Sequence, residues 1–198
     1  MKLYFNQTSP YARKVRVVVA EKGLADTIDM IDVDPWASTP ELLAAAPLSK
    51  VPALVTADGV TITESDAIVR YLDEYRNQPQ MFPQDPAARA EAYARIALAQ
   101  GMIDAAFDAV IERRRPAGQQ SEEWVSRQHR ALVRGLAMAA SATRPEGRFD
   151  LGDVSLACML AYLDFRLPQI TWRDSWPALA AWQDVVSKRA SMLTTQPD

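Results

Sequence analysis

The sequence feature that most constrains the fold is a change of pattern at a proline-rich stretch, NQPQMFPQDP, residues 77–86. Before this stretch, short runs rich in β-branched and aromatic residues alternate with segments of helical spacing, in the order β-α-β-α-β-β-α. After it, alanine is abundant, β-branched runs are scarce and the long segments are helical. The sequence therefore predicts an α/β domain over residues 1–78, a linker over 79–86 and an all-helical domain over 87–198.

Short sequence patterns predict how the strands of the α/β domain are connected and paired. KLYFN and TIDMIDV predict two strands, and the helical segment between them implies parallel pairing through a right-handed crossover. Asp58-Gly59, between two short apolar runs, predicts a hairpin. The basic residues of the first helix, Arg13, Lys14 and Arg16, could raise the local electrostatic potential, but the favoured prediction is that they form a solvated face.

The composition argues against several classes of function. The formal net charge of −3 gives the chain no general attraction for nucleic acid or for an anionic membrane surface. The one cysteine, Cys158, cannot form an intramolecular disulfide and is predicted to be a buried, small apolar side chain. The one histidine, His129, is predicted to lie on the surface, so a metal site of the Cys/His kind is not expected. No stretch approaches the roughly 20 apolar residues of a membrane span, and we expect a cytoplasmic protein without metal, nucleic-acid or membrane partners.

Ser9 stands directly before Pro10, where the first helix is predicted to begin. A serine at this position caps the helix, and capping alone would explain it. A hydroxyl at a helix N-terminus can also donate a hydrogen bond to a thiolate, and the positive end of the helix adds to that stabilisation. Thr8 and Asn6 are neighbouring polar groups that could donate instead, so the sequence leaves the donor open.

Glu64 and Ser65 stand where another helix begins, in the stretch TESDAIVRY. Backbone N–H groups at a helix N-terminus attract anions, and a serine hydroxyl adds a donor. Ser65 could equally be only an N-cap, which stabilises a helix by about 1 kcal/mol. The two roles are compatible, and Glu64 favours a binding role because capping does not require a carboxylate just before the cap.

Four motifs, together with the order of the two domains, resemble the glutathione transferase superfamily over essentially the whole chain. They are TSPYARKVRVVVAEKG, PLSKVPALV, TESDAIVRYLDEY and FDLGDVSLACMLAYLDF. The first motif and the stretch RRRPAGQQSEEW are most similar to the bacterial serine-type branch, whose first helix begins Ser-Pro-Phe/Tyr. The last motif contains Asp150 and Asp153, which predict a structural helix cap in place of the family's usual Ser/Thr-x-x-Asp. The resemblance implies a thioredoxin-like domain followed by a helical bundle of the glutathione-transferase type.

The resemblance also implies a glutathione site in the first domain. Ser9 would be the catalytic residue, because its hydroxyl would stabilise the bound thiolate, which is the nucleophile. Val51, whose bond to the following proline the family holds in cis, would pair its backbone with the cysteinyl part of glutathione. Ser65 and the helix start would hold the γ-glutamyl carboxylate and Glu64 the ammonium group. Lys50 would hold the glycine carboxylate or an adjacent part of the peptide.

These assignments predict a glutathione S-transferase with glutathione as co-substrate. The thiolate would add to a small hydrophobic electrophile or reduce a peroxide, and the family implies a homodimer with a role in detoxification. Serine at position 9, with no Cys-x-x-Cys present, disfavours a thiol–disulfide cycle. Trp36 could contact the glycine end of glutathione or could only pack. The alternative function is that of a non-catalytic glutathione-binding or protein-interaction protein on the same fold.

Overall fold

The structure is a computed structural model that describes residues 1–76, 78–142 and 149–197. Its elements confirm the predicted fold class, a thioredoxin-like α/β domain followed by an all-helical domain. The chain divides into two compact units, Met1–Gln84 with residues 189–197, and Asp85–Lys188. The sequence prediction had assigned residues 189–197 to the helical domain.

The first unit contains the predicted alternation of strands and helices. Its elements are β1 Lys2–Phe5, α1 Pro10–Glu21, β2 Asp29–Asp32, α2 Pro40–Ala45, β3 Ala53–Val55, β4 Thr61–Thr63, α3 Ser65–Tyr75 and the distant short helix α9 Ala190–Leu193. The four strands lie in the order β2-β1-β3-β4. The β1–β2 pair is parallel and β3 is antiparallel to both of its neighbours, which confirms the predicted parallel pairing and the predicted hairpin. Gly59 takes the left-handed conformation that the hairpin loop requires, with φ +80°.

The core of the first unit forms on both sides of β1. Leu3 of β1 and Leu54 of β3 are fully buried, and α1 packs against α3. Tyr4 and Ala53 pack with Leu42 of α2. Burial of each side chain of this size stabilises the fold by about 1.5–3 kcal/mol. Packing of helices against both faces therefore holds the sheet in place.

The prediction of a solvated basic face on α1 is wrong for two of its residues. Arg13 is only 5% exposed and Lys14 is fully buried. Arg13 donates a hydrogen bond to the carbonyl oxygen of Met192 at 3.1 Å, and Lys14 forms an ion pair with Asp66 of α3. Both side chains are covered because α3 and α9 pack against α1.

A buried ion pair holds the chain that follows α3. Lys22, just after α1, bonds to the Asp73 carboxylate and to the carbonyl oxygen of Pro79. The same carboxylate accepts the backbone N–H groups of Met81 and Phe82 at 2.9 and 3.0 Å. Residues 79–82 of the proline-rich stretch are thus fixed by hydrogen bonds to the side chains of Lys22 and Asp73.

The second unit contains five α-helices within the described residues. They are α4 Pro86–Arg114, α5 Glu122–Ser141, α6 Leu151–Arg166, α7 Trp172–Ser175 and α8 Pro177–Val186. Helix α6 is buried over most of its length and packs against α4, which also packs against α5. Gly135 allows the α4–α5 approach, because a Cβ there would lie 2.7 Å from Met102. Across the described ranges, no helix is both long and apolar enough to cross a membrane.

The predicted cap of α6 is confirmed in detail. The Asp150 carboxylate accepts the backbone N–H of Asp153 at 3.1 Å, and the Asp153 carboxylate accepts that of Asp150 at 3.0 Å. Arg95 of α4 donates to Asp150 at 2.7 Å and ties the cap to the neighbouring helix. Cys158 on the same helix is fully buried, as predicted. This motif is therefore structural.

Candidate functional site

Ser9 lies between β1 and α1 and occupies the N-cap of α1. Its hydroxyl oxygen accepts the backbone N–H of Ala12 at 3.2 Å, and its own N–H donates to the carbonyl oxygen of Asn6 at 3.1 Å. A hydroxyl can accept and donate at the same time. Among the described residues the Ser9 hydroxyl has no acceptor for its proton. Ser9 can therefore cap the helix and still donate to an anion.

The two alternative donors beside Ser9 are engaged within the loop. The Thr8 hydroxyl donates to the side-chain oxygen of Asn6 at 2.9 Å, and the Thr8 backbone N–H donates to the same oxygen at 3.2 Å. The Asn6 side-chain nitrogen donates to the carbonyl oxygen of Val33 at 3.1 Å. The only proton of the Thr8 hydroxyl is therefore committed, whereas that of Ser9 is not.

Ser65 is the first residue of α3 and does not cap it. The N-cap is Glu64, whose side chain makes no capping hydrogen bond, so the capping interpretation of Ser65 is wrong. Ser65 is 1% exposed, and its hydroxyl has no hydrogen-bond partner among the described residues. Glu64 has φ +74°, a conformation that costs a residue with a side chain about 1–3 kcal/mol and is concentrated at functional sites. The exposed Glu64 carboxylate and the buried Ser65 hydroxyl thus stand side by side at the helix start.

Val51 precedes β3, and its bond to Pro52 is cis, as predicted. The strand ladder begins only at Ala53, and the Val51 backbone makes no hydrogen bond among the described residues. Its N–H and C=O are therefore available to an extended peptide. Lys50, the residue before it, is exposed and makes no ion pair with any residue that the structure describes.

The loop that carries Trp36 is joined to the segment before Lys50. The Ser49 hydroxyl donates to the carbonyl oxygen of Pro35 at 2.7 Å and accepts from the Ser38 hydroxyl at 2.9 Å. Trp36 itself is 66% exposed, so the interpretation of this side chain as a packing residue is wrong. The hydrogen bonds of Ser49 thus join the loop that carries Trp36 to the segment that precedes Lys50.

The sheet topology brings three of these positions to one edge. Tyr4, Ala53 and Thr63 stand side by side in the strand ladder. Because β1 and β4 run in the same direction and β3 runs against them, the ends of β1 and β4 and the start of β3 share an edge. Ser9, Val51 and Ser65 follow or precede these strand ends, so the sheet gathers three short segments that are far apart in sequence.

Sequence reasoning missed Lys14 as part of this arrangement. Its ion pair with Asp66 joins α1, which begins after Ser9, to the residue directly after Ser65. The burial of Lys14 could have been predicted from the sequence. Lys14 lies three residues after Tyr11 and four before Val18, and therefore on the apolar face of α1. A lysine on an apolar face needs a partner when it is buried.

A four-stranded thioredoxin-like sheet with two helix starts at one edge, followed by a helical bundle, defines the class of two-domain proteins with the glutathione-transferase fold. Residues 8–75 match the family model "Glutathione S-transferase, N-terminal domain", and residues 122–184 match "Glutathione S-transferase, C-terminal domain". The chain belongs to the glutathione S-transferase family.

Similar proteins extend over the whole chain. The uncharacterised GST-like protein YibF of Escherichia coli K12 is 32% identical over 201 residues, which cover 100% of this chain and 98% of that protein. A glutathione transferase family member from Pseudomonas fluorescens Pf-5, solved with bound glutathione, is 34% identical with a TM-score of 0.91, covering 100% and 98% of the two chains. A glutathione S-transferase from Methylobacillus flagellatus KT, solved with bound GSH, is 37% identical with a TM-score of 0.91, covering 100% and 99%.

Proposed function

We propose that the protein is a glutathione S-transferase that binds glutathione at the sheet edge and activates its thiol. The observation that carries this proposal is the buried Ser65 hydroxyl, which has no partner among the described residues and stands at the start of α3. A buried hydroxyl without a hydrogen bond is costly, and a bound carboxylate would satisfy it. The glutathione-bound structures of the two similar proteins support the same ligand.

The anchoring groups match the chemistry of glutathione from end to end. The Ser65 hydroxyl and the N–H groups of α3 hold the γ-glutamyl carboxylate, because a helix N-terminus favours an anion. The exposed Glu64 carboxylate takes the neighbouring ammonium group. The Val51 backbone pairs with the cysteinyl residue as an added strand would, and Lys50 neutralises the glycine carboxylate. Trp36 shields that end of the peptide.

Ser9 is the catalytic residue of this proposal. Its hydroxyl donates to the glutathione sulfur, and the positive end of α1 adds to the stabilisation of the thiolate. A free thiol has a pKa of about 8.5, which such surroundings lower by about one unit or more. Each unit corresponds to about 1.4 kcal/mol of preference for the anion. The thiolate then forms a sulfur–carbon bond with a small hydrophobic electrophile, and the electron pair of the bond that breaks leaves with the displaced group or, in an addition, moves to the neighbouring atom, which takes up a proton. With a peroxide, the thiolate attacks one oxygen, the O–O bond breaks and the other oxygen leaves and is protonated; a second glutathione then displaces water from the resulting sulfenic acid and forms the disulfide.

The remaining parts of the proposal rest on the family. The Ser-Pro-Tyr start of α1 supports the serine-type branch, in which the residue that holds the thiolate is a hydroxyl and not a thiol. We propose a cytoplasmic homodimer that takes part in detoxification.

A comparison of the wild type with Ser9→Ala tests the catalytic role. The ultraviolet absorbance of the bound thiolate is followed across pH, and calorimetry reports the affinity for glutathione. We expect the bound thiol to ionise about one unit or more below its free pKa in the wild type. Ser9→Ala should lose that shift and still bind. Thr8→Val is the matched control, and it should keep the shift because the Thr8 hydroxyl is committed to Asn6.

The other outcomes separate the alternatives. If Ser9→Ala keeps the lowered thiol pKa, Ser9 is a helix cap only and backbone N–H groups hold the sulfur. If the wild type binds glutathione without any lowering of the thiol pKa, the protein is a non-catalytic glutathione-binding protein. If the wild type does not bind glutathione, the transferase proposal fails and the protein-interaction alternative takes its place.

A further inference from the structure

Asn6 makes most of the hydrogen bonds of the turn between β1 and α1. Its side-chain oxygen accepts the backbone N–H of Thr8 at 3.2 Å and the Thr8 hydroxyl at 2.9 Å. Its backbone carbonyl oxygen accepts the N–H of Ser9 at 3.1 Å. A side-chain oxygen that accepts the N–H two residues on forms an Asx-turn, which takes the place of a backbone turn. The chain therefore reaches Ser9 through a turn that is built on Asn6.

The other end of the Asn6 amide is fixed to the sheet. Its side-chain nitrogen donates to the carbonyl oxygen of Val33 at 3.1 Å. Val33 directly follows β2, and its own N–H donates to the carbonyl oxygen of Phe5 at 2.9 Å, which continues the pairing of β1 with β2. A functional side chain is held precisely when neighbouring hydrogen bonds fix it to rigid elements. Through Asn6, the turn before α1 is fixed in this way.

The partners of Asn6 also require an amide at this position. The side-chain oxygen faces two donors of Thr8, and the side-chain nitrogen faces the carbonyl oxygen of Val33. A carboxylate would accept from Thr8 but has no proton for Val33, and an alanine would bond to neither. Both halves of the amide are therefore used.

Asn6 treats the two hydroxyl groups of the turn differently. It accepts the only proton of the Thr8 hydroxyl. The Ser9 hydroxyl oxygen accepts the N–H of Ala12, and its proton has no acceptor among the described residues. One hydroxyl is thus withdrawn from ligand binding while its neighbour keeps a proton to donate.

We propose that Asn6 is the positioning residue of the thiolate site, which makes Ser9, and not Thr8, the donor to the glutathione sulfur. This inference rests on the transferase function proposed above. Asn6 acts through Ser9 and does not contact the sulfur. A hydrogen bond weakens steeply when its donor is misaligned, and a donor that is already oriented needs no reorganisation when the anion forms. A fixed turn therefore increases the stabilisation that one hydroxyl gives to the thiolate.

Asn6→Ala tests the proposal, because it removes the three side-chain hydrogen bonds and keeps the backbone bond to Ser9. The ultraviolet absorbance of the bound thiolate is followed across pH, as for Ser9→Ala. The variant should lose about half of a lowering of roughly one unit in the thiol pKa, because the Ser9 O–H is no longer held in one direction. Asn6→Ser can form a weaker turn of the same kind and should recover part of the loss. Glutathione affinity at a pH where the thiol is protonated should be unchanged.

A control variant separates this effect from a general loss of stability. Thr56 lies in the hairpin loop after β3, and its side-chain oxygen accepts the N–H of Val60 at 3.1 Å. Thr56→Val removes this bond between a side chain and the backbone in the same unit, away from the thiolate site. Thermal unfolding should show that it lowers stability, whereas the thiol pKa should stay at its wild-type value.

Double variants show whether Asn6 acts through its neighbours. In the Ser9→Ala protein, Asn6→Ala should raise the thiol pKa no further, because the hydroxyl that it positions is gone. In the Asn6→Ala protein, Thr8→Val should raise the thiol pKa, because the released Thr8 hydroxyl then donates to the sulfur. The same Thr8→Val change should have no effect in the wild type.

Three results would overturn the proposal. If Asn6→Ala keeps the full lowering of the thiol pKa, Asn6 only stabilises the turn. If it raises the thiol pKa equally with and without the Ser9 hydroxyl, Asn6 contacts the sulfur itself. If Thr8→Val has no effect in the Asn6→Ala protein, Thr8 is not a competing donor. A wild-type thiol pKa that is not lowered would instead overturn the catalytic role of Ser9 as well, so the two failures can be told apart.

Discussion

Ser9 and Ser65 are both serines at the start of a helix, yet their hydroxyl groups have different surroundings. The Ser9 oxygen caps α1 through the Ala12 N–H. Ser65 stands one residue inside α3, and its buried hydroxyl bonds to none of the described residues. Replacement of serine by alanine should therefore lower the stability of the fold at position 9 and weaken ligand binding at position 65.

Ser65→Ala should raise the free energy of unfolding of the ligand-free protein by about 1 kcal/mol, because it removes a buried hydroxyl that has no hydrogen bond among the described residues. It should weaken glutathione binding by about tenfold, the effect of one lost hydrogen bond to a charged group. Ser9→Ala is the control and should cost about 1 kcal/mol of stability through its lost cap. Denaturant unfolding and calorimetry measure the two quantities. A loss of stability in Ser65→Ala at unchanged affinity would make Ser65 a structural residue.

At the scale of elements, α9 and α1 are joined by side chains although they lie at opposite ends of the chain. Arg189 donates two hydrogen bonds to Glu21, at 2.9 and 2.7 Å, and the Ser191 hydroxyl donates to the same carboxylate. Burial by itself raises the pKa of Glu21, but these hydrogen bonds and the Arg189 charge outweigh it, so the pKa lies below its ordinary value of 4.5. The ionised form of Glu21 is therefore the one that favours the folded state.

The contribution of Glu21 to stability should depend on pH. Its pKa is lowered in the folded state, so the contribution is complete above pH 4.5 and is lost as the pH falls through the folded-state pKa. Glu21→Gln should lower the free energy of unfolding by about 1 kcal/mol at pH 7, and this difference should shrink below pH 4.5. Denaturant unfolding between pH 7 and pH 3 measures it. Glu74→Gln, an exposed position on α3, is the control and should show no difference. A difference for Glu21→Gln that is the same at pH 3 and pH 7 would contradict this account.

Over the whole molecule, the proposed glutathione site belongs to one of the two compact units, because it is built from the ends of strands and helices in the first unit. A ligand stabilises the conformations that hold its own site, so glutathione should stabilise the first unit.

Hydrogen–deuterium exchange should locate this effect. Glutathione should slow amide exchange in residues 6–12, 50–53 and 64–68, because these segments surround the proposed peptide. It should leave exchange in residues 122–134 of α5 unchanged. Equal protection of both units by glutathione would mean that they open as one cooperative unit, and would contradict the local effect.

Much of what was predicted correctly depends on short-range patterns in the sequence. The hairpin at Asp58-Gly59, the N-cap at Ser9 and the capping box at Asp150 each depend on a few neighbouring residues, and each is present in the structure. The family motifs also identified the cis bond after Val51. These features could be read from the sequence because their physical causes, such as glycine's left-handed conformation or a side-chain bond to an N–H three residues on, lie within one turn.

The features that the sequence did not predict depend on contacts between residues that are far apart along the chain. Periodicity and capping were enough to predict the order of elements, the fold class and the candidate ends of helices. Three features instead depend on the tertiary structure: Lys14 is buried, the Ser65 hydroxyl does not cap a helix, and residues 189–197 group with the first unit. The physical reason is that burial and hydrogen-bond partners are set by whichever segments pack together, and the partners of Lys14 and Glu21 lie 52 and 168 or more residues away along the chain.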